Sequence, residues 1–201
     1  MNDVIYETVV STVAPDNTPH VAPMGVRYRG AEVILMPFKP STTLANIAAS
    51  GHAVLNIVID TRVFAGSVTG RRSWPLQPAE RIAGVRLYCA LNHVELKLAE
   101  LQDDPQRPVL RMARVFEASH APYIGFNRAQ AAVIEAAVLV SRLHMLPAAK
   151  VDAEMNYLQI AIDKTAGPEE REAWSWLTEA VARHRAPAQP STQESAQEQR
   201  P

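Results

Sequence analysis

The chain has 201 residues, with 20 lysines and arginines against 21 aspartates and glutamates, a formal net charge of -1. This balance leaves no basic face for a phosphate backbone, so we expect no nucleic-acid partner. The length favours a single core with an appended element.

The cysteine content limits the metal cofactors that the chain can hold, and the apolar pattern limits where in the cell the protein is expected. The single cysteine, Cys89, excludes an internal disulfide framework and any multi-cysteine metal or iron–sulfur site held by this chain alone, and it fits a reducing compartment. The first residues, MNDVIYETVV, lack the basic region and cleavage site of a signal peptide. The longest apolar run, AQAAVIEAAVLV, contains Glu135 and is too short to span a bilayer. We therefore expect a cytoplasmic protein with no membrane partner.

Alternating apolar residues predict a meander of three strands at the start of the chain. The runs VIYETVVSTVA, HVAPMGVRYRG and AEVILMPF are separated by the turn sequence PDN and by Gly30. A short helix is predicted over about residues 42–50, with Gly51 as its C′ residue. HAVLNIVID and RVFAGSVTG are predicted to be the next two strands.

The middle of the chain completes the predicted barrel. RRSWPLQPAERIAG carries two prolines and a glycine, which predicts a long loop. Apolar and polar residues alternate in two further segments, RLYCALNHVELKLAELQ and RPVLRMARVFEASH, which predicts two more strands joined by the turn sequence DDP. These segments predict an antiparallel barrel of six or seven strands with one inserted helix.

The pattern becomes helical from Asn127 onward. Three helices are predicted. The first, NRAQAAVIEAAVLVSRLHML, ends at Pro147, and the second, AAKVDAEMNYLQIAIDKTAG, ends at Gly167. The third, PEEREAWSWLTEAVARH, opens with proline and acidic residues, as helix N-termini prefer. The predicted organisation is thus α+β, with a barrel over residues 1–122 and a helical domain over residues 123–185. Residues 186–201 have almost no apolar side chains, so we expect a disordered tail.

The sequence FKPSTTLANI places a lysine and three hydroxyl residues at the start of the predicted short helix. A helix N-terminus exposes unpaired N–H groups and a partial positive charge, which suits a phosphate. Ser41, Thr42 and Thr43 add hydroxyl donors, and Lys39 adds a full charge. Asn46 lies one turn inside the helix, near the same end. The alternative is that Ser41 or Thr42 only caps the helix.

A charged stripe marks the first predicted helix of the C-terminal region. Asn127 and Gln130 form a variant of the capping box, and Arg128, Glu135 and Arg142 recur every seven residues on one face of an otherwise apolar helix. The stripe is either an ion-pair ladder, within the chain or between subunits, or a lining that reaches a ligand.

The order of these motifs resembles the FMN-binding split-barrel superfamily of flavoredoxins and flavin reductases. Three segments carry this resemblance. The family's flavin strand is similar to HVAPMGV, and after one further strand its Lys/Arg-Ser/Asp-Thr…Asn-Ile helix is similar to FKPSTTLANI. The Val-Asn strand that follows in the family is similar to AVLNIV. With YETVVST, RVFAGSVTGRRSWPL and GFNRAQAAVIEAAVLVSRLHML, the chain resembles a branch found in archaea and methylotrophic bacteria, sometimes labelled a tetrahydromethanopterin-synthesis protein. The resemblance covers about residues 6–184. It implies an antiparallel Greek-key split β-barrel with an inserted helix, followed by a C-terminal helical domain.

The resemblance also implies FMN in a groove between barrel and helix, commonly at a dimer interface. The positions that match the family's phosphate motif are Lys39, Ser41, Thr42, Thr43 and Asn46. The positions that match the strand beside the isoalloxazine ring are Ala22, Pro23, Met24 and Gly25, and the candidate cofactor set also includes Asn56, Asn127 and Arg128. Backbone N–H groups of such an irregular strand can stabilise the negative charge of a reduced flavin. Taken without the family, the interruption at Pro23 and Gly25 is equally well an ordinary barrel bulge.

Other polar residues are weaker candidates. Asn56 interrupts an apolar strand, where its amide needs hydrogen-bond partners. The six histidines show no metal-ligand spacing, so no metal site is expected, although His20 and His120 are candidates to face the pocket. The arginines flanking VFAGSVTG are either solvated or contact an anionic substrate or the flavin phosphate; they are Arg62, Arg71 and Arg72.

The expected function is that of a homodimeric FMN flavoprotein. We expect an oxidoreductase that relays electrons or a hydride from a small-molecule donor to a small or pterin-like acceptor, with the protein supplying positioning and electrostatics. The apolar helix over residues 127–145 carries more hydrophobic surface than one barrel face covers, which favours a dimer. The alternative is a non-catalytic flavin carrier or an accessory protein of pterin cofactor biosynthesis. Haem or deazaflavin in the same groove is a third hypothesis.

Overall fold

The computed structural model describes residues 4–186, and these form eight strands and five helices. In chain order the elements are β1 (Tyr6–Val13), β2 (Pro19–Arg29), β3 (Glu32–Leu35), α1 (Thr42–Ser50), β4 (His52–Ile57), α2 (Arg62–Thr69), β5 (Leu76–Pro78), β6 (Val85–Leu87), β7 (Asn92–Gln102), β8 (Val109–Ser119), α3 (Arg128–Ser141), α4 (Ala148–Thr165) and α5 (Pro168–Arg185). The tail predicted over residues 186–201 lies, apart from its first residue, outside the described residues.

Six antiparallel strands close into a barrel in the order β1-β2-β3-β8-β7-β4. Alternate residues of each strand point inward, so the interior is filled by apolar side chains such as Val10, Val26, Leu55, Leu96 and Met112. The inserted helix α1 ends where the sequence predicted, at Gly51 with φ 72°, a left-handed conformation that glycine adopts without strain. The predicted α+β class, an antiparallel barrel followed by helices, is confirmed.

A second apolar core lies outside the barrel, between β1 and the helices. Val9 of β1 packs there with residues of α2, α3 and α5, including Phe64, Val133, Trp174 and Leu177. Helix α3 contacts α2, α4 and α5, and seven of its residues are buried. Much of the apolar surface of α3 is therefore covered within the chain, although Val138 and Met145 are exposed, and the dimer stays a prediction. In the described residues, no helix combines the length and the apolar character needed to cross a membrane.

The prediction of a strand at RVFAGSVTG is wrong, because this segment is helix α2. Its β-branched residues favour a strand locally, but the helix buries Val63 and Phe64 in the second core, and tertiary packing overrides that preference. Helix α2 stops at Gly70, with φ 88°. A side chain at Gly66 would meet the ring of Trp74 at 2.6 Å, so glycine permits the following segment to pack closely.

The predicted long loop also contains regular structure. Strands β5 and β6 pair as a small two-stranded sheet outside the barrel. Asn56 of β4 connects this sheet to the barrel: its Nδ2 donates to the Val9 carbonyl (3.1 Å) and to Ser11 Oγ (3.0 Å), and its Oδ1 accepts from the Leu87 N–H (2.8 Å). The amide of Asn56 is fully buried and its hydrogen bonds are intramolecular.

We predict that Asn56→Ala lowers the free energy of unfolding by about 2–3 kcal/mol, because it leaves the buried N–H of Leu87 and the Ser11 hydroxyl with fewer partners. Urea denaturation measures the change. The matched control is Asn92→Ala, whose side chain bonds to exposed groups on β8 and whose loss should cost less than about 1 kcal/mol. Equal effects of the two substitutions would contradict the structural role of Asn56.

Candidate functional site

A cavity of about 600 Å³ opens where β2 leaves the closed part of the barrel. Strand β3 pairs only with residues 26–29 of β2, so of the described strands β1 alone pairs with residues 20–25. The opposite edge of that segment borders the cavity. Pro23 is compatible with this position, because proline within a sheet is found mainly on edge strands and at bulges. The stretch of β2 predicted to lie beside a flavin therefore lines the cavity, including Ala22, Pro23, Met24 and Gly25.

Gly25 sits where the N-terminal segment crosses β2. A Cβ atom at this position would lie 2.6 Å from Cγ2 of Ile5, which also lines the cavity. Glycine thus lets the segment before β1 close one side of the cavity.

The first turn of α1 forms another wall. Ser41 is the N-cap, and its hydroxyl accepts the Leu44 N–H at 3.2 Å, so the capping interpretation holds for Ser41. Ser41, Thr42 and Thr43 all line the cavity. The first turn contains no acidic residue, so the partial positive charge of the helix N-terminus is not neutralised locally.

The cation beside this helix end is Arg107, which the sequence analysis missed. Its Nε donates to the Met36 carbonyl (3.2 Å), and its guanidinium lies 4.6 Å from the centre of the Phe38 ring, which fixes it at the cavity wall. Lys39, the predicted cation, lies outside the lining and pairs with Asp103 at 2.5 Å. Arg107 follows the β7–β8 turn, so only the barrel closure brings it to α1, and no local spacing signals it.

The helical layer contributes Ser67 of α2, Arg72 after α2 and Arg142 at the end of α3. Within the described part of the chain, neither Arg72 nor Arg142 takes part in an ion pair. The two other arginines flagged near α2 point elsewhere: Arg62 pairs with Asp60 and Glu172, and Arg71 lies over the Trp176 ring and near Glu179. Of the three, only Arg72 lines the cavity.

The charged stripe on α3 is divided between two sites. Among the described residues, no ion pair joins Arg128, Glu135 and Arg142, so the ladder does not form within the chain. Arg142 reaches the cavity, whereas Arg128 and Glu135 border a separate groove.

Two other candidate cofactor residues, Asn127 and Asn46, make hydrogen bonds within the chain, as Asn56 does. Asn127 caps α3 through the Ala129 N–H (2.8 Å) and donates to the Thr165 carbonyl (3.0 Å). Asn46 is buried and donates to Thr12 Oγ1 at 3.0 Å. With Asn56 and Arg128, these two asparagines lie outside the cavity lining.

His20 faces the cavity, and its protonation depends on the surrounding residues. Burial, and secondarily the charge of Arg72, lowers the pKa of His20, so the imidazole is neutral at neutral pH. Of the charged side chains that line the cavity, three are arginines and one is Glu7. This excess of positive charge favours an anionic ligand.

Two family models match the chain. One, described as "Protein of unknown function (DUF447) N-terminal domain", matches residues 6–121, and its partner DUF447_C matches residues 127–179. The chain belongs to the DUF447 family. The boundary between the two models falls in the connection between β8 and α3, where the barrel gives way to the helices. No curated protein sequence is significantly similar to this DUF447 chain.

Solved structures share the fold. The FMN-bound DUF447 protein MM1853 from Methanosarcina mazei superimposes with a TM-score of 0.76 at 22% identity, over 89% of this chain and 96% of that one. The 2-nitrobenzoate 2-nitroreductase NbaA of Pseudomonas fluorescens gives 0.52 at 20% identity, over 57% and 64%. Flavoredoxin from Methanosarcina acetivorans gives 0.50 at 14% identity, over 60% and 72%. The first likeness includes the helices, and the other two cover little more than half of this chain.

We predict that Arg72→Gln raises the pKa of His20, because the guanidinium disfavours a second positive charge nearby. Proton NMR titration of the imidazole measures the shift. The matched control is Arg71→Gln, which removes the neighbouring arginine, whose guanidinium is held against Trp176. A His20 pKa that responds equally to both changes, or to neither, would contradict the arrangement of Arg72 and His20 in one cavity.

Proposed function

We propose that this DUF447 protein binds FMN in the cavity between β2 and α1 and functions as an oxidoreductase. The observation that supports this most is the meeting of three elements at one cavity: the unpaired edge of β2, the first turn of α1 and three arginines. The FMN-bound relative MM1853 shares the fold over nearly its whole length. FMN would supply hydride and electron transfer, chemistry that this chain's side chains lack.

The first turn of α1 and Arg107 are suited to hold the phosphate. The helix end offers backbone N–H groups, and the hydroxyl of buried Thr43 has no hydrogen-bond partner within the described residues. Arg107 adds a guanidinium that can bond to two phosphate oxygens. The residues present therefore fit a phosphate monoester.

The open edge of β2 is suited to the polar edge of a flat ring. Backbone N–H groups carry no proton that titrates near neutral pH, so they can stabilise negative charge without changing the protonation of the site. The apolar side chains of Val21, Met24 and Met36 at the same cavity offer a surface for the ring faces.

Arg72 and Arg142 favour an anionic partner molecule. If Arg107 and α1 hold the phosphate, these two arginines from the helical layer remain for a carboxylate or phosphate of the electron donor or acceptor. The proposed acceptor is small and anionic, and a pterin-like molecule with an acidic side chain is one case. Arginines on α2 and α3 would thereby give the helical domain a role in substrate selection.

We predict that the protein binds FMN more tightly than riboflavin and that Thr43→Val weakens FMN by about 1–2 kcal/mol, the scale of a hydrogen bond to a charged group. Titration by flavin fluorescence measures both. Thr43→Val should leave riboflavin binding unchanged, because riboflavin has no phosphate. Lys39→Met is the control for local charge and should have the smaller effect, since Lys39 pairs with Asp103. Equal affinities of the parent for FMN and riboflavin would contradict the phosphate assignment.

We also predict that NADH or NADPH reduces the FMN-loaded protein and that the rate depends on β2 more than on His20. Gly25→Val should lower the rate or displace the flavin, because the added side chain forces Ile5 into the cavity. His20→Ala should retain the rate within about tenfold, because loss of a general acid or base typically costs about 100-fold or more. Rapid-mixing absorbance measures the rates. A much larger loss in His20→Ala would make His20 the acid–base residue, and no reduction of the parent would favour the non-catalytic carrier.

We further propose a homodimer that covers the mouth of the cavity. Ile5, Tyr6 and Phe38 are 48%, 50% and 67% exposed, and Ile5 and Phe38 line the cavity itself. A second copy packed here would bury these side chains and exclude water from the ligand.

Light scattering should give the mass of a dimer for the parent and of a monomer for Tyr6→Glu. Tyr157→Glu, a change at a tyrosine on α4 that is 75% exposed, should remain dimeric. A monomeric parent would contradict the proposal.

A further inference from the structure

A buried histidine and glutamate lie outside the flavin cavity and have no part in the function proposed above. His93 and Glu95 are two residues apart on β7, so their side chains share the outer face of the barrel, and both are fully buried. His93 Nε2 lies 3.3 Å from Glu95 Oε1, and His93 Nδ1 lies 2.8 Å from Nε2 of His120. The planes of the two imidazole rings differ by only 13° and the ring centres lie 5.0 Å apart, as expected for rings joined edge to edge by a hydrogen bond. The three side chains thus form a continuous chain of hydrogen bonds from the protein interior to the exposed His120.

The carboxylate at the buried end is ionised. Burial alone would raise the pKa of Glu95, but the N–H groups of Glu80, Arg81 and Ile82 donate to it at 2.5, 2.8 and 2.9 Å, and with His93 they lower the pKa overall. An ionised carboxylate only accepts hydrogen bonds. The hydrogen between Glu95 and His93 therefore belongs to Nε2 of His93.

This arrangement sets the tautomers of both histidines. With a hydrogen on Nε2 and a lone pair on Nδ1, His93 accepts a hydrogen bond from Nε2 of His120. The lone pair of His120 is then on Nδ1, a nitrogen with no hydrogen-bond partner among the described residues. His120 is consequently a base whose opposite nitrogen is connected to a buried carboxylate through His93.

The groups around His120 keep it neutral. Partial desolvation and then the charge of Arg86 lower the pKa of His120, and the charge of Glu80 acts in the opposite direction. On the other side of His93, the Phe116 ring lies 5.9 Å away and is itself covered by the guanidinium of Arg81. His120 is therefore available at neutral pH as a proton acceptor.

His120 lines a groove of about 630 Å³ that shares no residue with the flavin cavity. Its walls are mostly apolar, from Ile57, Ile59, Leu91 and Pro122, with Tyr123 at one side. A largely apolar groove with one basic group is typical of sites for small molecules. Three N–H groups already anchor the 80–82 segment to Glu95, so the connection through His93 to the groove is not needed for that packing.

We propose that His120, supported by His93 and Glu95, is the proton acceptor of a second ligand site, which takes a small apolar molecule with a weakly acidic hydroxyl group such as a phenol or an enol. The ligand O–H bond breaks and its proton binds Nδ1 of His120. The hydrogen on Nε2 of His120 moves to Nδ1 of His93, which becomes an imidazolium beside the Glu95 carboxylate. The ligand is left as an oxyanion, and the ion pair of His93 and Glu95 stabilises the transferred charge.

The test uses the full-length FMN-loaded protein and 4-nitrophenol as the probe, with 4-nitroanisole as the analogue that has no proton to lose. Difference absorbance against the protein alone reports the fraction of bound phenolate, and NMR of the Ile57 and Ile59 methyl groups reports binding in the groove. We expect the methyl shifts with both probes and bound phenolate with 4-nitrophenol. His120→Gln should weaken 4-nitrophenol about tenfold, the scale of a hydrogen bond to a charged group, and leave 4-nitroanisole unchanged.

His93→Phe tests the relay separately, because it keeps an aromatic ring against Phe116 and His120 while removing the connection to Glu95. It should lower the bound phenolate fraction and leave FMN affinity unchanged. Absence of methyl shifts at Ile57 and Ile59 at millimolar 4-nitrophenol would overturn the site. Bound phenolate that is unaffected by His120→Gln would overturn the role of His120.

Discussion

The shortness of β3 leaves part of β2 with a free edge that borders a cavity. With four residues, β3 pairs with only the end of β2, and the chain then leaves the barrel toward α1. Residues 20–25 of β2 therefore have a free edge, although the sheet is closed elsewhere. Free strand edges are normally covered, because their N–H and C=O groups pair readily with other molecules. Here a cavity borders the edge, with α1, Arg107 and the helical layer as its other walls.

The barrel and the helices form this site jointly. Helix α2 brings Ser67 and is followed at once by Arg72, and α3 ends at Arg142, so the helical layer supplies two of the three cavity arginines. Helix α2 is held by the second core, and the β5–β6 sheet beside it is attached to the barrel by Asn56. An asparagine that resembles part of a flavin motif in the sequence thus has a structural role, in attaching the β5–β6 sheet to the barrel.

The sequence predicted those parts of the fold and site that depend on local chemistry. The barrel strands and α1 with its glycine cap follow from alternation and turn residues, and the contribution of β2 to the cavity follows from the resemblance to the split-barrel family. Helix α2 was missed because Val63 and Val68 favour a strand locally. The segment forms a helix because its apolar side chains are then buried against α3 and α5. Lys39 was preferred to Arg107 because it is adjacent in sequence to α1. The β7–β8 hairpin brings Arg107 to α1 instead, and it provides Asp103, which engages Lys39.

We propose that the cavity at the free edge of β2 is the FMN site. A crystal structure of the FMN-loaded protein tests it most directly. We predict that the phosphate lies within hydrogen-bonding distance of Thr43 and Arg107 and that the ring lies alongside residues 20–25 of β2. A flavin bound in the groove beside His120, or with its phosphate at the helical layer and its ring away from β2, would contradict it.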